Sequence, residues 1–377
     1  MSAVIRLLQT LDEAIAQRRA PRTVLFLRAE RAVVLARLGE ADRARDEIAS
    51  LRAGDAVRRY PSLAPWLCLA EGLADFYADL AGRARERVRR ALVLARSTRS
   101  TRALPLAAAW MAHLDFHARD DASAVTHLVL ALDTAQPDHH GARARLCLVL
   151  AGMLHYAGAE ERAQPWYSQA RVHAQAEGDG ASLSSIMYNM ALLRVVEVRL
   201  TAAFGVHHDA VALRRAMLGT ESSVFLDRSV STRALSNHPP MQRAQLLVVS
   251  GQLAEALTLY EAHMAQAVAE GLTSCECVFL ADQAWCLAAL GRGGAALLQA
   301  RAADSALRAA TEPEDRAIAH AMLAQVYTRL GLSEQADPHA VQAHRNHQLY
   351  RQRTDALLAL IDRSLPASDC TAPLGKV

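Results

Sequence analysis

Lys376 is the only lysine among 377 residues, and it lies in a Pro-containing tail. A phosphate-cradling loop, a Schiff-base enzyme and a protein kinase each need a lysine at a fixed point of a folded site. All three classes are therefore disfavoured. The sequence holds no Gly-x-Ser-x-Gly elbow, no His-Glu-x-x-His and no strand-borne glycine fingerprint for a dinucleotide. Gly291, Gly293 and Gly294 fit a helix-to-helix turn instead. His113 and His117 stand four apart, on one face of a helix, and with His155 they offer three imidazoles to a metal. No carboxylate or thiol completes that set, so a ring stack or a hydrogen-bonding role is expected there and no metal. Cys275 and Cys277 are two apart, which on a helix turns their thiols about 200° from each other. They read, with Cys286, as core thiols rather than zinc ligands. Since no nucleophile, base and orienting group come together, no catalytic residue, no cofactor and no enzymatic activity are expected.

The elements that would have to position these groups are helices. Apolar residues make up 52% of the chain and charged residues 21%, enough to fill a long core and too apolar for a disordered chain. Alanine and leucine dominate, β-branched and aromatic residues are sparse, and long stretches lack Gly and Pro, a mixture that favours helix and leaves no strands to expect. The net charge of +3 does not give the footprint of a general nucleic-acid binder. Arg83, Arg85, Arg87, Arg89 and Arg90 crowd one segment, but they spread around a helix without interleaved aromatics, so a solvated face is expected and nucleic acid is disfavoured as a partner. Six cysteines among apolar residues fit a reducing compartment. The first 19 residues have acidic groups and no cleavage site after an apolar block, and apolar runs such as 146–154 are too short to span a bilayer. A cytoplasmic protein is expected, with no membrane contact. The Arg-for-Lys bias points to a GC-rich, bacterial genome.

Five segments share one signature: a small residue, an apolar residue three on, a Gly four later and an Ala five beyond it. They are Ala32, Leu35, Gly39, Ala44; Ala151, Leu154, Gly158, Ala163; Ala244, Leu247, Gly251, Ala256; Ala284, Leu287, Gly291, Ala296; and Ala324, Tyr327, Gly331, Ala336. Gly251, Gly291 and Gly331 are 40 apart, and Gly39 to Gly158 is 119, close to three such steps. Two hidden units fill that gap: Gly72 with Ala84, Val88 and Ala91, then Ala112 with Ala124, Leu128 and Ala131, with Asp79 and Arg119 in place of the turn glycine. A further unit starts at Ala191, with Ala203 and a poorly matching His207. This pattern resembles the tetratricopeptide repeat (TPR) family in a long-repeat form of about 40 residues. The resemblance implies an all-α, right-handed superhelical solenoid of about eight helical hairpins with capping helices. Residues 1–20 are expected to cap the first repeat, 21–217 to form repeats 1–5, 218–240 to be an irregular insertion, 241–349 repeats 6–8, 350–365 a C-terminal cap and 366–377 a disordered tail. The Pro239-Pro240 pair in the insertion can open a helix but not lie inside one.

In a TPR array the first helix of each hairpin lines the concave surface. By that resemblance, Trp66, Phe76, Tyr77, His113, Phe116, His117, Arg145, His155, Tyr156, Tyr188 and Asn189 are partner-binding positions. Asn189, with Gln283 and Gln325 near similar places, can donate to and accept from an extended main chain. Aromatics are only 5% of the chain, so their concentration on one face fits anchors for a partner. Burial of the same rings between adjacent repeats is the competing reading. The function expected is a non-enzymatic adaptor that captures a protein or peptide segment. The alternative is a ligand-gated regulator with a looser resemblance to Rap-type TPR proteins. Repeat-like helices from the first residues on leave no helix-turn-helix to expect.

Overall fold

The computed structural model describes residues 6–80, 82–205, 209–230 and 235–365. His207, Lys376, Cys370 and the expected tail at 366–377 lie outside them. Among the described residues the chain is all helical, with eighteen α-helices, two short 3-10 turns and no strand. None of these helices is long and apolar enough to cross a membrane. The chain divides into two compact units, one of residues 1–186 with 226–234 and 356–377, the other of 187–225 with 235–355.

In the first unit α1 (Arg6–Gln17) precedes α2 (Pro21–Arg37), α3 (Ala41–Ala53), the single turn α4 (Ala56–Arg59), α5 (Ala64–Asp79), α6 (Arg83–Ser97), α7 (Ala103–His117), α8 (Asp121–Thr134), α9 (His140–Tyr156) and α10 (Glu160–Glu177). Helices α2/α3, α5/α6, α7/α8 and α9/α10 pack as consecutive pairs, and the first helices of successive pairs lie against one another. The small residues of the repeat sit at these crossings: Ala32, Ala44, Ala84, Ala112, Ala124, Ala151 and Ala163 are completely buried. Gly72 shows why. A Cβ there would lie 2.7 Å from Val88 Cγ2 and 3.3 Å from the Ala84 carbonyl oxygen, so α5 and α6 approach at a distance only hydrogen allows.

The second unit holds most of α11 (Gly180–Phe204) and α12 (Ala210–Val230), then α13 (His238–Val249), α14 (Leu253–Ala269), α15 (Glu276–Ala289), α16 (Gly293–Ala306), α17 (Pro313–Arg329) and the greater part of α18 (Ser333–Ser364). Pairs α13/α14 and α15/α16 pack together, and α15 lies against both α13 and α17. Two expectations need correction. Residues 218–230 of the expected irregular insertion are the second half of α12, whose Leu213 and Ala216 pack with Val195, Val198 and Leu246. The expected C-terminal cap at 350–365 is not a separate helix, because α18 runs unbroken for 32 residues, without a glycine to end it. The Pro pair behaves as anticipated and opens the first turn of α13.

The turn glycines share one geometry. Gly39, Gly158, Gly251, Gly291 and Gly331 all have φ between 75 and 80°, the left-handed region. At each, the following amide reaches back five residues, as Arg292 N–H does to the Leu287 carbonyl at 2.8 Å, the bond pattern of a Schellman cap. Arg119 takes the same conformation at φ 62°, as its place in the repeat predicts, whereas in the second hairpin it is Leu80, one residue beyond Asp79, that turns left-handed.

Candidate functional site

Of the eleven expected partner-binding residues, Trp66, Phe76, Arg145, His155 and Tyr156 are buried, Tyr77, His113, Phe116, Tyr188 and Asn189 are half-buried, and His117 is exposed. In the first unit α5, α7 and α9 bring their rings together edge to face. The Phe76 centroid lies 5.2 Å from Tyr77, 5.4 Å from His113 and 6.1 Å from Trp110, and the Phe116 ring meets Tyr156 at 5.5 Å. Trp110, which the sequence did not single out, packs in this cluster against Phe76, Tyr77 and His113 and is 1% exposed. The Arg145 guanidinium lies over its ring at 3.7 Å, a cation–π contact. Burial pulls Arg145 down to about 10, partly offset by the Tyr77 hydroxyl and worsened by Arg37. Burial, with His117 and Arg145 nearby, holds His113 well below its ordinary value, so its ring is neutral at pH 7. His113 and His117 meet edge to face at 4.5 Å with their planes 71° apart, not as a stack, while His155 Nδ1 meets the Tyr167 hydroxyl at 3.2 Å. At Trp66 and Phe76 the competing expectation is the one realised: these rings fill the interior.

Other polar groups of this unit are likewise turned inward. Arg37 on α2 bridges to Asp179 at 2.7 Å and donates to Ser182 at 2.8 Å, and the Leu7 amide donates to the Gly178 carbonyl at 3.2 Å. The first hairpin is thus tied to the start of α11 through a pair of buried charges. The arginine run on α6 is not simply solvated. Arg85 bridges to the fully buried Asp115 on α7 and to Asp120, both at 2.7 Å; Arg83 and Arg87 meet Asp75, and Arg89 meets Glu86. Carboxylates therefore neutralise most of the patch that a phosphate backbone would need.

The second unit carries an open cavity of about 270 Å³ on the side formed by the first helices of its hairpins. Its wall is made by α11 (Arg199, Thr201, Ala202, Ala203), Gly205, the end of α13 (Val248, Val249), α15 (Trp285) and α17 (Ile318, Ala321, Met322, Gln325). Small side chains on α11 and α17 leave the space, and the half-buried Trp285 and Met322 supply apolar surface. Gln325 is exposed at its edge. A smaller cavity shares Thr201, Ala202 and Val249 and adds the carboxylates of Glu197 and Asp209.

Beneath the larger cavity lies a buried polar network. Arg199 donates to Asp282 at 2.5 Å and to the Gln245 carbonyl at 3.4 Å, and the Tyr260 hydroxyl donates to the other Asp282 oxygen at 2.6 Å. Burial pushes the Asp282 carboxyl up, and Arg199 and Tyr260 oppose that shift. The network engages both Asp282 oxygens and so fixes the relative positions of α11, α14 and α15. Cys277 and Cys286 are fully buried, and burial pushes each thiol up to about 12. Cys275 donates to Asp315 at 3.4 Å. These thiols are protonated at neutral pH and belong to one apolar cluster.

Gln325 and Trp285 stand at the same place in the repeat, six residues before Gly331 and Gly291; Gln325 was singled out in the sequence for its amide, and Trp285 was not, although the period aligns the two. No family model matches the chain, and no curated protein matches it either.

Proposed function

We propose that this chain is a non-enzymatic binding protein, a TPR-like right-handed solenoid of about eight hairpins, that captures an extended segment of a protein partner on the inner face of its second unit. The common left-handed turn of the five repeat glycines and the side-by-side first helices support the repeat architecture. The observation that carries the binding reading is the cavity bounded by four successive first helices, with Trp285 and Met322 for an apolar side chain and the Gln325 amide at its edge for a peptide main chain. The expected site at Trp66, Phe76 and Arg145 is not part of this reading, since those side chains are packed inside the first unit.

A peptide array probed with the purified chain tests it. Binding to a subset of extended peptides should weaken about tenfold or more in Trp285→Ala and in Gln325→Ala, with the thermal transition unchanged for the exposed Gln325 variant. Equal affinity in both variants would remove the cavity from consideration. A second reading is a ligand-gated regulator, favoured by a cavity volume close to the lower bound of small-molecule sites, about 300 Å³. In that case a small peptide or metabolite alone changes the solution-scattering profile.

A further inference from the structure

Arg145 on α9 is a buried cation to which the fold gives no acid of its own. It is 3% exposed, and among the described residues no acceptor meets its Nη2. Arginine is almost never so deeply buried unless an acid pairs with it. Two neighbours ease its burial, the Trp110 face at 3.7 Å from the guanidinium carbon and the hydroxyl of the half-buried Tyr77. A ring quadrupole and a neutral hydroxyl offset only part of the cost of taking a full charge out of water.

The acids of this region are committed elsewhere. Asp179 accepts at its two oxygens from Arg37, at 2.7 and 3.2 Å, and from the Ser182 amide and hydroxyl, at 3.0 and 2.8 Å. Burial, then Asp179 and Glu30, hold Glu177 up at about 8, so at pH 7 it is mostly protonated and brings little charge. Arg37 is itself 8% exposed, and its Nε also meets no acceptor. The Arg37 charge opposes that of Arg145 and the Asp179 charge favours it, so the three lie within one another's field, with Tyr77 acting on both arginines. Two buried guanidinium groups from α2 and α9 thus share a single carboxylate. One positive charge and two N–H donors are left unanswered.

One negative charge on two acceptor oxygens would complete this arrangement. A carboxylate has both, in a plane that suits the guanidinium fork, and the Tyr77 O–H can donate to it as well. A phosphate dianion would bring a second charge for Asp179 to repel.

We propose that the interior of the first unit binds a small monocarboxylic acid, whose oxygens accept from Arg145 and Arg37 and which enters beside Tyr77. The site is independent of the cavity in the second unit. Calorimetric titration of the full chain with sodium acetate and with sodium benzoate, each against sodium chloride at equal ionic strength, tests it. The expected result is one saturable site per chain and a rise in the thermal midpoint that chloride does not give. Arg145→Met replaces the charged head with an apolar chain of similar reach. It should raise the dissociation constant at least about tenfold, abolish the midpoint rise and, without carboxylate, melt no earlier than the parent, since the unanswered charge is gone. An Arg145 that served packing alone would give the opposite pair of results, an earlier transition and an intact carboxylate response. Tyr77→Phe keeps the ring and should weaken binding about threefold or more, which decides the matter if Arg145→Met does not fold. No saturable binding of either carboxylate up to about 10 mM, an equal response to chloride, or variants that bind like the parent overturns the proposal.

Discussion

Gly291 and Arg99 occupy the same left-handed region of backbone space, at φ 80 and 50°, and only one of them is suited to it. An L side chain there costs about 1–2 kcal/mol from contact of Cβ with the following carbonyl. A Cβ at Gly291 meets nothing within 4 Å, so the whole penalty of Gly291→Ala is conformational and should be about 1 kcal/mol. Arg99 is exposed, and the Ser100 amide behind it already closes on the Ala95 carbonyl at 2.9 Å. Arg99→Gly should therefore gain about 0.5–1 kcal/mol. Urea unfolding of the two variants checks both signs, and a loss of stability in Arg99→Gly would show that its side chain does more than tolerate the turn. The glycine periodicity in the sequence is thus a backbone requirement; at Leu80 and Arg119 a left-handed residue takes the place of the turn glycine, and Arg99 adopts the same conformation between α6 and α7.

At the scale of elements, the decisive quantity is how closely two helices cross. Gly72 lies where α5 meets α6, and the distance from its would-be Cβ to Val88 is shorter than any relaxed contact. Gly72→Ala should cost about 1–3 kcal/mol by overpacking. Val88→Ala made alone creates a cavity, but combined with Gly72→Ala it removes the clash, so the double variant should be more stable than the sum of the single changes. Additive losses, measured by chemical denaturation, would mean that α5 and α6 separate instead. The repeat spacing made this crossing legible, because a small residue at position 72 is required one period after Ala32. What it did not disclose is that α12 runs on past 217: residues 218–240, without the repeat signature, read as an irregular insertion, whereas 218–230 continue the helix with Thr220 and Ser223 buried.

The chain as a whole carries buried ionisable groups whose shifts oppose one another with pH. Burial, foremost, pushes His139, His173, His238 and His320 each down to about 4 from an ordinary 6.5. Below pH 6.5 the unfolded chain takes up protons that the folded chain refuses, so the stability these rings allow is present above 6.5 and is lost as pH falls towards 4. Glu177 behaves in the other sense. Burial, then Asp179 and Glu30, push its carboxyl up to about 8 from 4.5, so the unfolded chain releases its proton first and stability declines as pH rises from about 4.5 to 8. Stability should peak near pH 7. Urea midpoints at pH 5, 7 and 8.5 should be highest at 7, and Glu177→Gln should flatten the alkaline decline and steepen the rise between pH 5 and 7, because the Glu177 contribution acts across the whole span from about 4.5 to 8. An unaltered alkaline slope in that variant would assign the loss to other groups.

The sequence by itself determined the helical class, the hairpin period, the buried small positions and the left-handed turns, because each follows from local backbone geometry or from how near two adjacent helices must come. It also identified which residue types populate the first helices. Whether Trp66, Phe76 and Arg145 stand open or packed, where space remains beside Trp285 and Gln325, and which partner each arginine of the α6 run finds were decided by tertiary structure alone. These outcomes depend on how each helix pair packs on the next and on contacts such as Arg37 with Asp179 that join positions 142 apart in the chain. A periodic pattern specifies neighbours, and it is silent on what meets after several periods have accumulated.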